Sequence, residues 1–262
     1  MCSSGSISEG AARARGSQVA DGLFTSFTGS AGQLCTKPGI AFIPTGDAGR
    51  AIVDRIAELT ADAPAQVLLN DRISTSFTQI SSRLRAAGGA EIARSTATSA
   101  GFSAQPTVLE VPASDLGAEL AEECFGPMLV IARYRTVDEV EAALWRIPPS
   151  LTTTFHVEEA EKSIVEQLAP AARATSGRLV YNGYPTGVRV TWAQQHGGPW
   201  PATNSQHTSV GVTAVRRFLR PFAWQNAPEW ALPEVLRDGV TSIPRRIDGA
   251  LTPAAQSEPG GK

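Results

Sequence analysis

Apolar residues follow two rhythms along this chain. Unbroken runs bounded by Gly or Pro, GIAFIP at 39–44 and MLVIARY at 128–134, predict strands buried on both faces. QPTVLEVP (105–112), LTTTFHV (151–157) and GRLVYNG (177–183) predict three more. Between the strands, apolar positions recur at helical spacing. Residues 18–31 carry Val19, Leu23, Phe24 and Phe27, and 47–60 carry Ile52, Ile56 and Leu59 behind an N-cap at Asp47. Residues 71–89 repeat that design and stop at Gly88-Gly89, 136–147 stop at Pro148-Pro149, and 157–169 predict a further helix. Strands alternating with helices of this length predict an α/β fold: a mostly parallel sheet with flanking helices.

The flanks lack that periodicity. Residues 1–16 are read as a disordered leader, 17–208 as the main domain, 209–252 as a C-terminal packing or oligomerisation segment, and 253–262 as a disordered tail. Within the main domain, 184–208 form a long Gly- and Pro-rich loop, a kind of segment that usually carries function. VTAVRRFLR (212–220) predicts a helix after it.

Composition narrows the partners. A net charge of −2 over 262 residues supplies no field for phosphate backbones or anionic lipid, so neither nucleic acid nor a membrane is expected. The longest apolar stretch, 128–132, is far short of the roughly 20 residues a bilayer requires. Residues 1–16 contain no apolar signal core. The cysteines Cys2, Cys35 and Cys124 are odd in number and widely spaced, which argues against a disulfide framework and for a cytoplasmic setting. His156, His196 and His207 are scattered, so no metal site is expected.

One thiol stands in an unusual place. GQLCTKPG (32–39) puts Cys35 in a bend that suits neither helix nor strand. A lone cysteine is more often structural, but a glycine-flanked bend offers backbone N–H groups and room for a substrate. Gly32 and Gly39 permit that close approach, and Lys37 is read as a charge facing solvent.

This loop resembles the nucleophile loop of the aldehyde dehydrogenase superfamily. EECFGP (122–127) resembles that family's Glu-x-Phe-Gly-Pro box, and VYNGYPTGVRV (180–190) the segment after its last sheet strand. HGGPWPATNSQHTSVG (196–211) and RRIDGALT (245–252) resemble the NADP-preferring branch that includes α-ketoglutaric semialdehyde dehydrogenases. The resemblance runs from about residue 17 to 252 and implies the catalytic-domain portion of the fold, with the N-terminal dinucleotide-binding domain absent.

The resemblance implies roles. Cys35 would attack the aldehyde carbon to give a thiohemiacetal and later a thioester, its backbone N–H forming half of an oxyanion hole. Glu123 would bind nicotinamide-ribose hydroxyls and Phe125 would pack beside the ring, so NADP, or NAD, is the expected cofactor. A small aldehyde, first a 2-oxo semialdehyde, is the expected substrate, and a homo-oligomer the expected assembly. His196 is placed near the substrate as a polar contact or proton acceptor, with a structural role equally open. Asn182 is read as a strand-end cap, Cys124 as a buried small residue, and FTGS (27–30) as a chance likeness to a phosphate-binding turn. Arg133, Arg135 and Arg189 could each receive a substrate carboxylate.

Other expected parts are missing: the Gly-x-Gly-x-x-Gly turn, the general-base glutamate before the nucleophile and the oxyanion-hole asparagine. The expectation is a truncated chain with little or no dehydrogenase activity alone. Alternatives are a cofactor-independent thiol esterase using Cys35 and His196, or a non-catalytic oligomerisation fragment.

Overall fold

The computed structural model describes residues 3–187 and 189–255. They divide into two compact units, one ending at Arg217 and one beginning at Phe218. The first unit opens with β1 (Ser3–Ile7), α1 (Glu9–Thr28), β2 (Pro38–Pro44), α2 (Asp47–Ala61) and β3 (Gln66–Val67). It continues with α3 (Asp71–Ala86), β4 (Ala90–Arg94), β5 (Ser103–Ala104), β6 (Thr107–Pro112) and β7 (Met128–Tyr134). α4 (Val137–Arg146), β8 (Thr153–His156), α5 (Lys162–Thr175) and β9 (Leu179–Tyr181) complete it.

Seven strands form one sheet in the order β4-β6-β7-β2-β1-β8-β9. All neighbours pair in parallel except the edge strand β4, which is antiparallel to β6. β3 and β5 make a separate short antiparallel pair. The predicted α/β class holds, and the reason is visible in the strands. Along β2, Ile40 and Phe42 enter one core while Ala41 and Ile43 enter the other. β7 divides the same way, with Val130 and Ala132 against Leu129 and Ile131. A strand covered on both faces has no polar side to show, hence the unbroken apolar runs.

The leader is the largest correction. Residues 3–16 are ordered: β1 lies in the middle of the sheet, between β2 and β8. Ser8 caps α1 by accepting from Ala11 N at 3.1 Å. The Glu161 carboxylate accepts from the Ser8 hydroxyl and from Gly10 N, which ties this end of the chain to the start of α5. Met1 and Cys2 lie outside the described residues, as do 256–262 of the predicted tail. Residues 253–255 are held at Ala255, whose N–H bonds Thr241 O at 2.8 Å.

Smaller differences have local causes. Gly46, not Asp47, caps α2, and Asp47 stands in the first turn where the helix dipole favours its charge. α5 begins at Lys162, after a short 3-10 turn with a Glu158/Glu161 capping box, and runs through Pro170 to Thr175. Burial of Leu168, Ala171 and Ala172 offsets the backbone bond that Pro170 removes. The helix expected over 212–220 is only a 3-10 turn, Ala214–Phe218. Its apolar side chains are uncovered, Val215 being 57% exposed, and so short a helix is marginal without packing.

In the second unit, β10 (Arg245–Ile247) and β11 (Ala250–Thr252) form a hairpin around the Asp248-Gly249 turn. Arg245 braces it by donating to the Leu236 and Arg237 carbonyls. Among the described residues no helix is long and apolar enough to cross a membrane.

Candidate active site

Parallel strands all begin at the same edge, so the loops that feed β2, β7 and β9 converge there. Cys35 lies three residues before β2, Phe125 three before β7, and Arg178 directly before β9. The sequence separates these positions widely, and the topology gathers them.

The approach to Cys35 is strained. After α1, Ser30 (φ 51°), Ala31 (φ 54°) and Gly32 (φ 66°) are successively left-handed. That conformation costs Ser30 and Ala31 on the order of 1–2 kcal/mol each. Gln33 holds the turn: its N–H reaches Ser30 O at 3.1 Å and its Oε1 accepts from Leu69 N at 3.0 Å. At Gly32, a Cβ would stand 2.1 Å from Gly126 O, so at this point the Cys35 loop and the loop before β7 meet backbone to backbone. Cys35 itself is exposed.

Lys37 corrects an expectation. It does not face solvent; it is 2% exposed, and its Nζ donates to Cys124 O at 3.1 Å and Met128 O at 2.8 Å. Those bonds satisfy a buried charge and lock the two loops together. Cys124 is buried as expected, with Sγ 3.7 Å from Phe77 O. Glu123 and Phe125 on either side of it are half-buried.

His196 reaches the thiol. Its Nε2 stands 3.4 Å from Cys35 Sγ. Its backbone is clamped, with N bonded to Thr208 Oγ1 at 3.0 Å, and O accepting from Ser209 N at 2.8 Å and Ser209 Oγ at 3.0 Å. On the other side Gly197 rests on Gly177, where a Cβ would come 1.7 Å from Gly197 O. The Gly-Gly-Pro and Gln-His-Thr-Ser pieces thus hold the backbone that carries this imidazole.

Sequence reasoning missed Arg178. Its terminal nitrogens donate to Pro185 O at 2.8 Å and Gly187 O at 3.4 Å, and its buried Nε has no hydrogen-bond partner. Among the described residues it forms no ion pair with a carboxylate. Burial lowers its proton affinity, and the nearby Cys35 partly opposes that. His196 is pushed below the ordinary imidazole value, first by burial and then by the Arg178 cation. The one signal in the sequence was Gly177, a glycine at the start of the predicted strand 177–183, where a backbone comes close.

The three arginines singled out from the sequence lie elsewhere. Arg133 pairs with Glu110 at 3.1 Å and donates to Pro44 O, and Arg135 pairs with Glu139; both stand at the opposite edge, where strands end. Arg189 is exposed in the loop. Asn182 behaves as a strand-end cap: its side chain accepts from Val157 N at 2.9 Å and donates to Val157 O at 3.0 Å.

Residues 11–198 match the aldehyde dehydrogenase family model, a span that includes Cys35, the 122–127 box and His196. The chain belongs to the aldehyde dehydrogenase family. Within it, the chain is 38% identical over 241 residues to alpha-ketoglutaric semialdehyde dehydrogenase 2 of Azospirillum brasilense, covering 90% of this chain and 46% of that one. It is 36% identical over 248 residues to alpha-ketoglutaric semialdehyde dehydrogenase of Acinetobacter baylyi, covering 92% and 47%. It thus spans about half the length of these curated relatives. Among solved structures, 3,6-anhydro-L-galactose dehydrogenase in complex with NAP superposes with a TM-score of 0.67 at 16% identity, covering 83% of this chain and 46% of that one. The 1-pyrroline-5-carboxylate dehydrogenase from Thermus with bound NAD gives 0.63 at 20% identity, covering 76% and 38%. At those identities the likeness establishes the fold alone, and the aldehyde dehydrogenase fold is what the sheet reproduces.

Proposed function

We propose that this chain carries the thiol half of an aldehyde dehydrogenase that oxidises a 2-oxo semialdehyde to the carboxylate with NADP. The observation that carries the reading is an exposed Cys35 whose sulfur meets an imidazole at a shared strand edge. The relatives' names support the substrate class. Cys35 attacks the aldehyde carbon, its own N–H supports the oxyanion, and water releases the acid from the thioester.

The residues present fit the nicotinamide end of the cofactor. Glu123 offers a carboxylate for vicinal hydroxyls and Phe125 an aromatic face. Both sit on the loop whose Gly126 backbone abuts Gly32, beside the Cys35 bend. When bound, the nicotinamide supplies the hydride acceptor. A cytoplasmic homo-oligomer, with 209–252 as its packing segment, completes the reading. The same thiol–imidazole contact favours a second reading, nucleotide-independent hydrolysis of activated esters through a Cys35 thioester.

The test measures capture of the aldehyde without nucleotide. A 2-oxo semialdehyde is expected to protect Cys35 from iodoacetamide more strongly than an alkanal of equal length, because a thiohemiacetal hides the sulfur. Equal or absent protection would refute the substrate reading. With NADP added, any NADPH formed by the 262-residue chain is expected to be slow and to vanish in Cys35→Ala.

A further inference from the structure

We propose that His196 is the proton acceptor of this site: it takes the Cys35 proton as sulfur attacks, and then a proton from the water that releases the acyl group. The proposal rests on the reading of Cys35 as nucleophile given above.

The geometry carries it. A general base must lie within hydrogen-bond reach of the proton it removes, and 3.4 Å is ordinary for a sulfur–nitrogen hydrogen bond. The backbone that carries the imidazole is also fixed, at His196 N, at His196 O and at Gly197. Thr208 and Ser209 hold that backbone from one side, and the Gly177–Gly197 contact holds it from the other. That second contact places Arg178, the residue after Gly177, beside the pair.

Arg178 gives the arrangement its direction. Among the described residues its guanidinium is tied to the neutral carbonyls of Pro185 and Gly187 and to no carboxylate, so its charge is not cancelled by them. Burial first, and then this cation, keep His196 in its neutral, proton-accepting form, and an imidazolium formed there hands its proton on. The same cation attracts a thiolate. Arg178 therefore acts as a positioning residue and His196 as a catalytic one.

With an activated ester the steps balance as follows. The S–C bond forms, the carbonyl electron pair moves to oxygen and the thiol proton passes to Nε2. The carbonyl reforms as the alcohol leaves with that proton. Water then adds to the thioester carbon while giving a proton to Nε2, the C–S bond breaks, and sulfur recovers the proton. With an aldehyde, the first proton is returned to the new alkoxide to give the thiohemiacetal.

The experiment follows acetylation of Cys35 by p-nitrophenyl acetate, reading the p-nitrophenol burst and the intact mass of the chain. His196→Ala and His196→Gln are expected to acylate about a hundred-fold more slowly than wild type, the lower end for a lost general base. Added imidazole is expected to restore part of the rate in His196→Ala, which a purely structural role would not allow. His207→Gln is the control, and matched urea midpoints show that the fold survives. Should the Ala variant unfold, the Gln variant, which keeps a polar side chain of similar reach, decides by its rate alone.

Rates within about three-fold of wild type in both variants would overturn the proposal. So would a loss that imidazole does not restore in a folded His196→Ala. If the semialdehyde protects Cys35 while the histidine variants acylate normally, this proposal fails and the proposed function stands. If wild type forms no acetyl adduct, both fail.

Discussion

The two edges of the seven-stranded sheet carry similar residues and differ in how they are partnered. Where the strands end, Arg133 and Arg135 face Glu110 and Glu139 around a hollow of about 520 Å³. Each cation there has its carboxylate, and the Arg135 backbone N–H, foremost among its contacts, holds the Glu139 carboxyl below the usual range. Where the strands begin, Arg178 has, among the described residues, carbonyl oxygens for partners and lies beside an exposed thiol and a half-buried imidazole. A cation with no carboxylate partner among the described residues, next to an exposed thiol, marks the front edge as the candidate site, because its field has not been used up in folding.

The sharpest way to break this comparison is Cys35→Ala. Ester acylation and aldehyde capture are expected to fall by about a thousand-fold or more, since Cys35 is the thiol that meets an imidazole at that edge. The intact mass after p-nitrophenyl acetate treatment checks it; an adduct elsewhere at wild-type rate would contradict the assignment.

Next comes the contact between the two front loops. Gly32→Ala forces a left-handed alanine and a Cβ into the Gly126 carbonyl, for an expected loss of roughly 3 kcal/mol. Ala31→Gly, one residue earlier and also left-handed, is expected to change stability by less than about 1 kcal/mol. Thermal midpoints of the two variants separate a strained but open position from a filled one.

The histidines extend the comparison in the pH dimension. His156, at the far end of β8, is 5% exposed with an unpartnered Nδ1, and burial, aided by the Arg15 charge, pushes it down to about 4. The folded form therefore holds this ring neutral while the unfolded chain takes up a proton near the ordinary 6.5. Its contribution is full above about 6.5 and drains away as pH falls toward 4, on the order of 3 kcal/mol in all. Urea midpoints at pH 7.5 and 4.5 should therefore lie closer together in His156→Phe than in wild type, by about that amount. An unchanged gap would show that the ring is not held neutral.

The smallest effect is at the back edge. Arg135→Ala removes an ion pair whose cation is 77% exposed, so stability should fall by at most about 1 kcal/mol and Cys35 acylation should not change. A large drop in acylation would mean that the two edges communicate.

How far the sequence reveals this molecule depends on whether a residue's environment is encoded locally. β2 and β7 were legible because burial on both faces leaves an apolar run between breakers. β1 was not: its SSGSI stretch buries serines, and Ser4 Oγ finds Thr153 Oγ1 at 3.2 Å only after the sheet assembles. The first turns of α1 were hidden too, because Ala11 and Ala12 are buried without the bulk that marks a core face. Within the site, Cys35 and His196 could be singled out by their loops. Lys37 and Arg178 could not, since carbonyl oxygens that satisfy or surround a charge are supplied by every residue and leave no mark on the sequence.

The central place of β1 has a consequence for synthesis. Ser4 finds its partner on one side at Ile40 and on the other at Thr153, so during translation this strand waits with one flank open until some 150 further residues have emerged. A nascent chain of this design is obliged to leave one flank of a polar, serine-bearing strand without its neighbour until β8 emerges. The hydroxyl-rich character that conceals β1 from inspection also suits that wait, because solvent can satisfy its side chains until the neighbour arrives.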